Sequence, residues 1–243
     1  MDCQLVIVPE NFALGGLNPS RTLEIAQQER SGGPQPLQNF LKQQARQHGL
    51  WIVGGTIPLF PDSGDQQKPF TTTLVIDADG NEVARYNKIH LFDADVADSN
   101  GQYRESDNFS AGDGVVVVDT PVGKLGLAIC YDLRFSELFF ALRQQGAEVI
   151  AVPSAFTAVT GEAHWEILLR ARAIETQCYV AGAGMGDREH PKRPNWGGSA
   201  IVDGWGVVLA GLEGGDGLIT AEIDLQRLHQ QRQQMPVMQH RRL

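Results

Sequence analysis

Short apolar, β-rich runs alternate with segments of helical periodicity along nearly the whole chain. That alternation constrains the fold more than any other feature, because it calls for helices interleaved with strands and laid on their faces, the α/β class. Residues 5–8, 51–57, 149–152 and 178–183 read as strands. Leu37, Phe40, Leu41 and Ala45 recur at helical spacing, with Gly49 where a C-terminal stop belongs. Residues 73–77 and 82–87 flank Asp77-Ala78-Asp79-Gly80 as a hairpin, and 115–119 and 124–130 flank a second turn at Thr120-Pro121-Val122-Gly123. Ser136 is read as the N-cap of a helix through Gln145, closed by Gly146, and 163–177 as a long helix. Residues 199–203, 207–210 and 218–223 read as further strands, and a polar helix follows Asp224. The hairpins 76–84 and 202–210 share Asp-x-x-Gly at the bend, a hint of internal symmetry.

The chain has 243 residues, of which 42% are apolar, enough for a sizeable core and too many for a disordered chain. No Pro-, Gly- or Ser-rich linker divides it, so residues 1–243 are read as a single domain. Its 29 acidic against 20 basic side chains give a net charge of −9, which repels phosphate backbones and argues against a nucleic-acid partner. No apolar run approaches the ~18–20 residues that a membrane span needs. No basic stretch precedes an apolar one at Met1-Asp2-Cys3-Gln4, so no signal peptide is visible. Three cysteines, at 3, 130 and 178, are an odd and sparse set that suits a reducing cytoplasm. The six histidines are scattered, with no H-x-x-x-H or C-x-x-C spacing, so no metal site is expected. Gly182-Ala183-Gly184-Met185-Gly186 resembles a dinucleotide loop, but Asp187 stands where the third glycine is needed, so no cofactor is expected either.

Cys130 is the residue type and placement with most chemical potential. It ends an apolar strand and is followed at once by Tyr131-Asp132-Leu133-Arg134-Phe135. At such a strand-to-helix elbow a thiol is presented to ligand, with backbone N–H groups beside it. Cys178 reads as core packing, and Cys3 has no functional reading. A nucleophilic thiol needs a base. One option is a Cys–His hydrolase using His90 or His164; the other draws on charged groups at strand ends, Glu10 directly after the strand 5–8 and Lys88 where the strand 82–87 leaves its sheet. Ligands gather at the carboxyl ends of strands in α/β sheets, so Glu10, Lys88 and Cys130 are candidates to converge.

Pro9-Glu10-Asn11-Phe12, Tyr86-Asn87-Lys88-Ile89-His90-Leu91-Phe92-Asp93 and Cys130-Tyr131-Asp132-Leu133-Arg134-Phe135 resemble, in order, the three signature blocks of the nitrilase, or carbon–nitrogen hydrolase, superfamily. The resemblance implies a four-layer αββα sandwich and cofactor-free amide hydrolysis. It makes Cys130 the nucleophile, Glu10 the general base, Lys88 the positive stabiliser, and Glu105 the group that orients Lys88 and the departing nitrogen. The backbone N–H of Tyr131 would join Lys88 on the oxyanion, and Thr157 and Arg134 would contact substrate, with Arg172 and Arg193 as further conceivable partners for its carboxylates. The stretches 153–157, 160–166 and 169–180 are similar to the deaminated glutathione amidase branch. That branch implies cleavage of a small carboxylate-bearing amide to acid and ammonia through a Cys thioester, in metabolite repair; the omega-amidase branch, acting on 2-oxo acid amides, is the alternative. Members ordinarily open with a strand and a helix ahead of the strand that delivers the glutamate. Met1 lies only nine positions before Glu10, so the chain is expected to be N-terminally short, and a truncated, non-catalytic form is a third possibility. The resemblance also implies a homodimer or higher homo-oligomer.

Overall fold

The computed structural model describes residues 3–14, 19–61, 67–98, 100–189 and 193–242. Two sheets lie face to face. The first holds β1 (Leu5–Ile7), β2 (Trp51–Val53), β3 (Ile57–Leu59), β4 (Phe70–Ile76) and β5 (Glu82–Asn87). In it β1 runs parallel to β2, while β4 pairs antiparallel with β2, β3 and β5. A short ribbon, β6 (Asp93–Asp95) with β7 (Gln102–Arg104), follows. The second sheet is built from β8 (Val117–Thr120), β9 (Gly123–Leu127), β10 (Val149–Ser154) and β11 (Tyr179–Gly184); beyond the ribbon of β12 (Gly186–Asp187) and β13 (Asn195–Trp196) it is completed by β14 (Ala200–Val202) and β15 (Val208–Gly211). Its order is β15-β14-β11-β10-β9-β8, with β9, β10 and β11 parallel at the centre.

Helices α1 (Pro19–Gln28) and α2 (Pro36–His48) cover the first sheet; α3 (Ser136–Gln144) and α4 (Ala158–Thr176) cover the second. Helices α5 (Leu225–Gln234) and α6 (Val237–His240) end the described chain. The period-2 alternation of strands sorts their side chains between layers. Leu74 and Ile76 of β4 pack outward on Leu41 and Ala45 of α2, whereas Val75 points inward and joins Val53 and Tyr86 against Leu127 and Ile150 of the second sheet. On the far side Phe139 and Leu142 of α3 and Trp165 and Leu169 of α4 complete the core. The result is the four-layer αββα sandwich. No helix among the described residues is long and apolar enough to cross a membrane.

Several boundaries differ from the sequence reading. The strand expected over 51–57 breaks at Gly54–Gly55; Gly55 has φ 54°, and a Cβ there would run into the Pro9 carbonyl and come within 2.9 Å of the Phe12 ring. That close approach seats the segment carrying Glu10. Ser136 is not the N-cap of α3 but its first residue, because a 3-10 turn over Cys130–Arg134 leads straight into the helix and Phe135 takes the cap position. Helix α4 starts at Ala158 rather than 163 and carries Gly161 inside it, where a side chain would collide with Trp196. Residues 218–223 form no strand; Ile223 packs on the core but Leu218 is 75% exposed. Helix α1 has no counterpart in the sequence reading. The two similar hairpins do form, one in each sheet, and their likeness is turn chemistry: Asp77 accepts from the amides of Asp79 and Asn81, and Asp203 from those of Trp205 and Val207.

Candidate active site

Three strand ends meet between the sheets. Glu10 follows β1, Lys88 follows β5, and Cys130 opens the 3-10 turn beyond β9. All three are buried, with residue exposures of 4%, 2% and 8%. Lys88 Nζ lies 3.3 Å from Glu10 Oε1 and 2.7 Å from Glu105 Oε2. The other Glu10 oxygen accepts from the Ala155 N–H at 2.7 Å, and the carboxylate also engages the Cys130 thiol. Glu105 is held from two sides, by the Phe92 N–H at 2.7 Å and the Thr71 hydroxyl at 3.0 Å. It stands at the start of the 3-10 turn that follows β7.

Burial and charge set the protonation of these groups. Burial pushes the Glu10 carboxyl above its usual range, and the nearby Glu105 charge adds to that, while Lys88 opposes both. Burial acts to lower the Lys88 ammonium, but Glu10, Glu105 and Cys130 together outweigh it and hold it well above its ordinary value. The Cys130 thiol is pushed up by burial first and by Glu10 second, with Lys88 pulling the other way. Burial and the neighbouring Glu10 thus favour the thiol form of Cys130, while the two glutamates favour the charged form of Lys88 beside it. Cys130 itself sits at φ 46°, a left-handed backbone that costs a non-glycine residue about 1–2 kcal/mol. Such strain persists at a site only when the surroundings enforce it.

A cavity of about 270 Å³ opens over these groups. Glu10, Lys88, Glu105, Cys130 and Thr157 line it, with Arg104 and Arg193. Thr157 caps α4, accepting from the Thr160 N–H at 3.3 Å, so its hydroxyl has a structural duty at the cavity wall. Tyr131 packs its ring edge-on against Phe92 and Phe135 and turns away from the lining. Arg134 is also outside the lining; it lies over the Phe156 ring and meets His164 Nδ1 at 3.2 Å. Arg172 is buried in packing, donating to the Leu133 carbonyl and pairing with Glu175. Arg193 lies over the Tyr103 ring at the cavity. The Cys–His alternative finds no geometry: His90 is bonded to Asp132 and stacked on Phe135, and His164 is on Arg134, neither lining the cavity.

The sequence reading missed the residues that hold the acids and the amine in place. Ala155, Thr71 and the Phe92 amide are backbone or neutral partners, invisible until the fold brings them in. Asp132 lies within the third block, where nothing local marks it, yet its buried carboxylate gathers donors from Tyr86, His90 and Ile129.

The fold and this site define a carbon–nitrogen hydrolase: the sequence profile of that family matches residues 1–233, and the chain belongs to the family. It is therefore a hydrolase acting on carbon–nitrogen bonds. Among its relatives, the deaminated glutathione amidase of Yersinia enterocolitica is 46% identical over 242 residues, spanning 98% of this chain and 82% of that protein. The human deaminated glutathione amidase is 45% identical over 240 residues, spanning 98% and 72%. The crystal structure of the C. elegans NitFhit protein superimposes with a TM-score of 0.87 at 41% identity, covering 99% of this chain and 57% of that longer one.

Proposed function

We propose that the protein is an amidase that cleaves a small carboxylate-bearing amide through a thioester on Cys130, with deaminated glutathione as its substrate. The observation that carries this reading is the approach of Lys88 Nζ to both Glu10 and Glu105 beside the Cys130 thiol, in one cavity. The names of the relatives at 45–46% identity supply the substrate.

In this reading the Cys130 sulfur attacks the amide carbon while Glu10 takes the thiol proton. The Lys88 ammonium and the Tyr131 backbone N–H hold the oxyanion, each donor being worth about 3–4 kcal/mol in the transition state. Collapse breaks the C–N bond, and Glu10 returns the proton to the leaving nitrogen, steadied by Glu105. Water then attacks the thioester, Glu10 takes one of its protons, and the acid leaves as the thiol is restored. Glutathione contains only secondary amides, so the leaving group is the amine of a cysteinylglycine fragment, not the ammonia that a primary amide would give. Arg104 and Arg193 both line the cavity, and their positive charge favours a substrate that carries a carboxylate.

Deaminated glutathione has no primary amine, so its hydrolysis creates one. Purified protein is expected to generate amine-reactive product from it, with the acid and the dipeptide identified by mass. Faster turnover of a 2-oxo acid primary amide, read as ammonia, would shift the assignment to omega-amidase chemistry; no turnover of either would reject the amidase reading.

The acid side of the pH profile provides a second test. Glu10 must be ionised to accept the thiol proton, and its carboxyl lies above the ordinary 4.5. Activity is therefore expected to fall as pH drops through that raised value, so the acid limb of kcat/KM has its midpoint above 4.5. A limb at or below the ordinary glutamate value would remove Glu10 from the role of base.

A further inference from the structure

Asp132 is a fully buried carboxylate that meets two ionisable side chains, His90 and Tyr86. Its environment is built from four donors. Oδ1 accepts from the His90 backbone N–H at 3.0 Å and from His90 Nδ1 at 2.7 Å; facing a carboxylate, that ring nitrogen carries its hydrogen. Oδ2 accepts from the Tyr86 hydroxyl at 2.7 Å and from the Ile129 N–H at 2.8 Å. Tyr86 and His90 stand two residues either side of Lys88, and Ile129 directly precedes Cys130. One carboxylate therefore grips the end of the Lys88 strand and the Cys130 elbow together.

The grip on the elbow is reciprocal. The Asp132 N–H donates to the Ile129 carbonyl at 2.9 Å while its side chain takes the Ile129 N–H, closing a loop around Cys130 in its left-handed conformation. On the other sheet, Tyr86 is the penultimate residue of β5 and Lys88 the first beyond it, so a bond to the Tyr86 hydroxyl also sets where Lys88 emerges. The His90 ring is clamped against Phe135, with centroids 3.7 Å apart and planes 5° from parallel. Removing any one donor would leave a buried carboxylate short of a partner, so the set is held as a unit.

We propose that Asp132 is a positioning residue that fixes the Lys88 ammonium relative to the Cys130 sulfur, and that Tyr86 and His90 act through it. This rests on the amidase reading above, and it adds that the distance between cation and nucleophile is set by a group that touches neither. A misplacement of roughly 1 Å at a reacting centre can cost about 100-fold in rate. Asp132→Asn keeps the size of the side chain but turns an amide N–H₂ toward one pair of donors, so the two segments can no longer be held at once.

The test uses Asp132→Asn, Tyr86→Phe and His90→Ala in the full chain, with Leu142→Ala in α3 as a control that loses core packing away from the site. Asp132→Asn is expected to lower kcat by about 10- to 100-fold with KM changed by less than about threefold, and Tyr86→Phe to lower kcat by about 3- to 10-fold, each measured well below its melting temperature. Leu142→Ala is expected to melt earlier but keep its kcat. Alkylation of Cys130 by iodoacetamide, read on its peptide by mass because Cys3 is exposed, supplies a readout independent of substrate. Loss of Lys88 from beside the sulfur disfavours the thiolate and slows alkylation, whereas a merely loosened elbow would expose the buried sulfur and speed it. Slower alkylation in Asp132→Asn and Tyr86→Phe supports the proposal; unchanged or faster alkylation with wild-type kcat in Tyr86→Phe and His90→Ala overturns it, even where Asp132→Asn fails to fold. A wild type that turns over no amide would sink the amidase reading while the alkylation comparison still decides the positioning.

Discussion

Replacing Cys130 by Ala is expected to lower kcat on an amide substrate by at least about 10⁴-fold, because no other group can form the acyl bond and the remaining donors only bind. The fold should survive, since the change removes a single sulfur atom at the cavity wall. Backbone geometry then separates two otherwise equivalent dead variants. Cys130 holds φ 46°, a region open to glycine and strained for any residue with a Cβ. Cys130→Gly is therefore expected to be as inactive as Cys130→Ala but more stable than it by about 1 kcal/mol, the left-handed penalty less the entropy glycine loses on folding. Urea denaturation of the two proteins side by side reads the difference. A glycine variant less stable than the alanine one would mean that the elbow imposes no strain.

The three signature blocks were legible in the sequence because each is a short run, with its chemical residue beside the strand that delivers it. The rule that ligands gather at strand ends made Glu10 after β1, Lys88 after β5 and Cys130 after β9 no more than candidates to converge, and their roles came from the resemblance. Glu105 was legible through the resemblance alone; it sits in a polar stretch with no local signal, and its link to Lys88 exists only once β6 and β7 pair. The break at Gly54–Gly55 was hidden because its cause is the Pro9 carbonyl, far away in sequence. Gly161 blurred the start of α4 for a similar reason, a glycine demanded by Trp196 rather than by its own helix. Charge alone does not separate a substrate contact from a structural one at Arg134 and Arg172, which in the fold are engaged by aromatic rings, a carbonyl and a neighbouring acid. Asp132 is the converse case. An acid between Tyr131 and Leu133 looks ordinary in one dimension, and only the meeting of the two sheets shows that its carboxylate is completely enclosed.

Lys88→Met is expected to abolish activity and to cost stability as well, by about 3–5 kcal/mol at neutral pH, because it strips the cation from two carboxylates in a buried site. Glu10 and Glu105 touch Lys88 at 3.3 and 2.7 Å, so one ammonium faces both carboxyl groups. The loss should depend on pH in a definite direction. Burial already raises the Glu10 carboxyl above 4.5, and removing Lys88 removes the opposing pull, so in the variant it rises further. A group whose folded value exceeds its unfolded one contributes its full stability below the unfolded value and loses it as pH climbs through the folded one. The deficit of Lys88→Met against wild type should therefore be small in acid and widen toward neutrality, as denaturant midpoints across that range would read. Adding Glu10→Gln should return part of the stability at neutral pH while restoring no activity, since a neutral amide no longer needs the cation but cannot accept the thiol proton. A double variant no more stable than Lys88→Met, or a deficit independent of pH, would mean that the two glutamates are not the burden that Lys88 relieves.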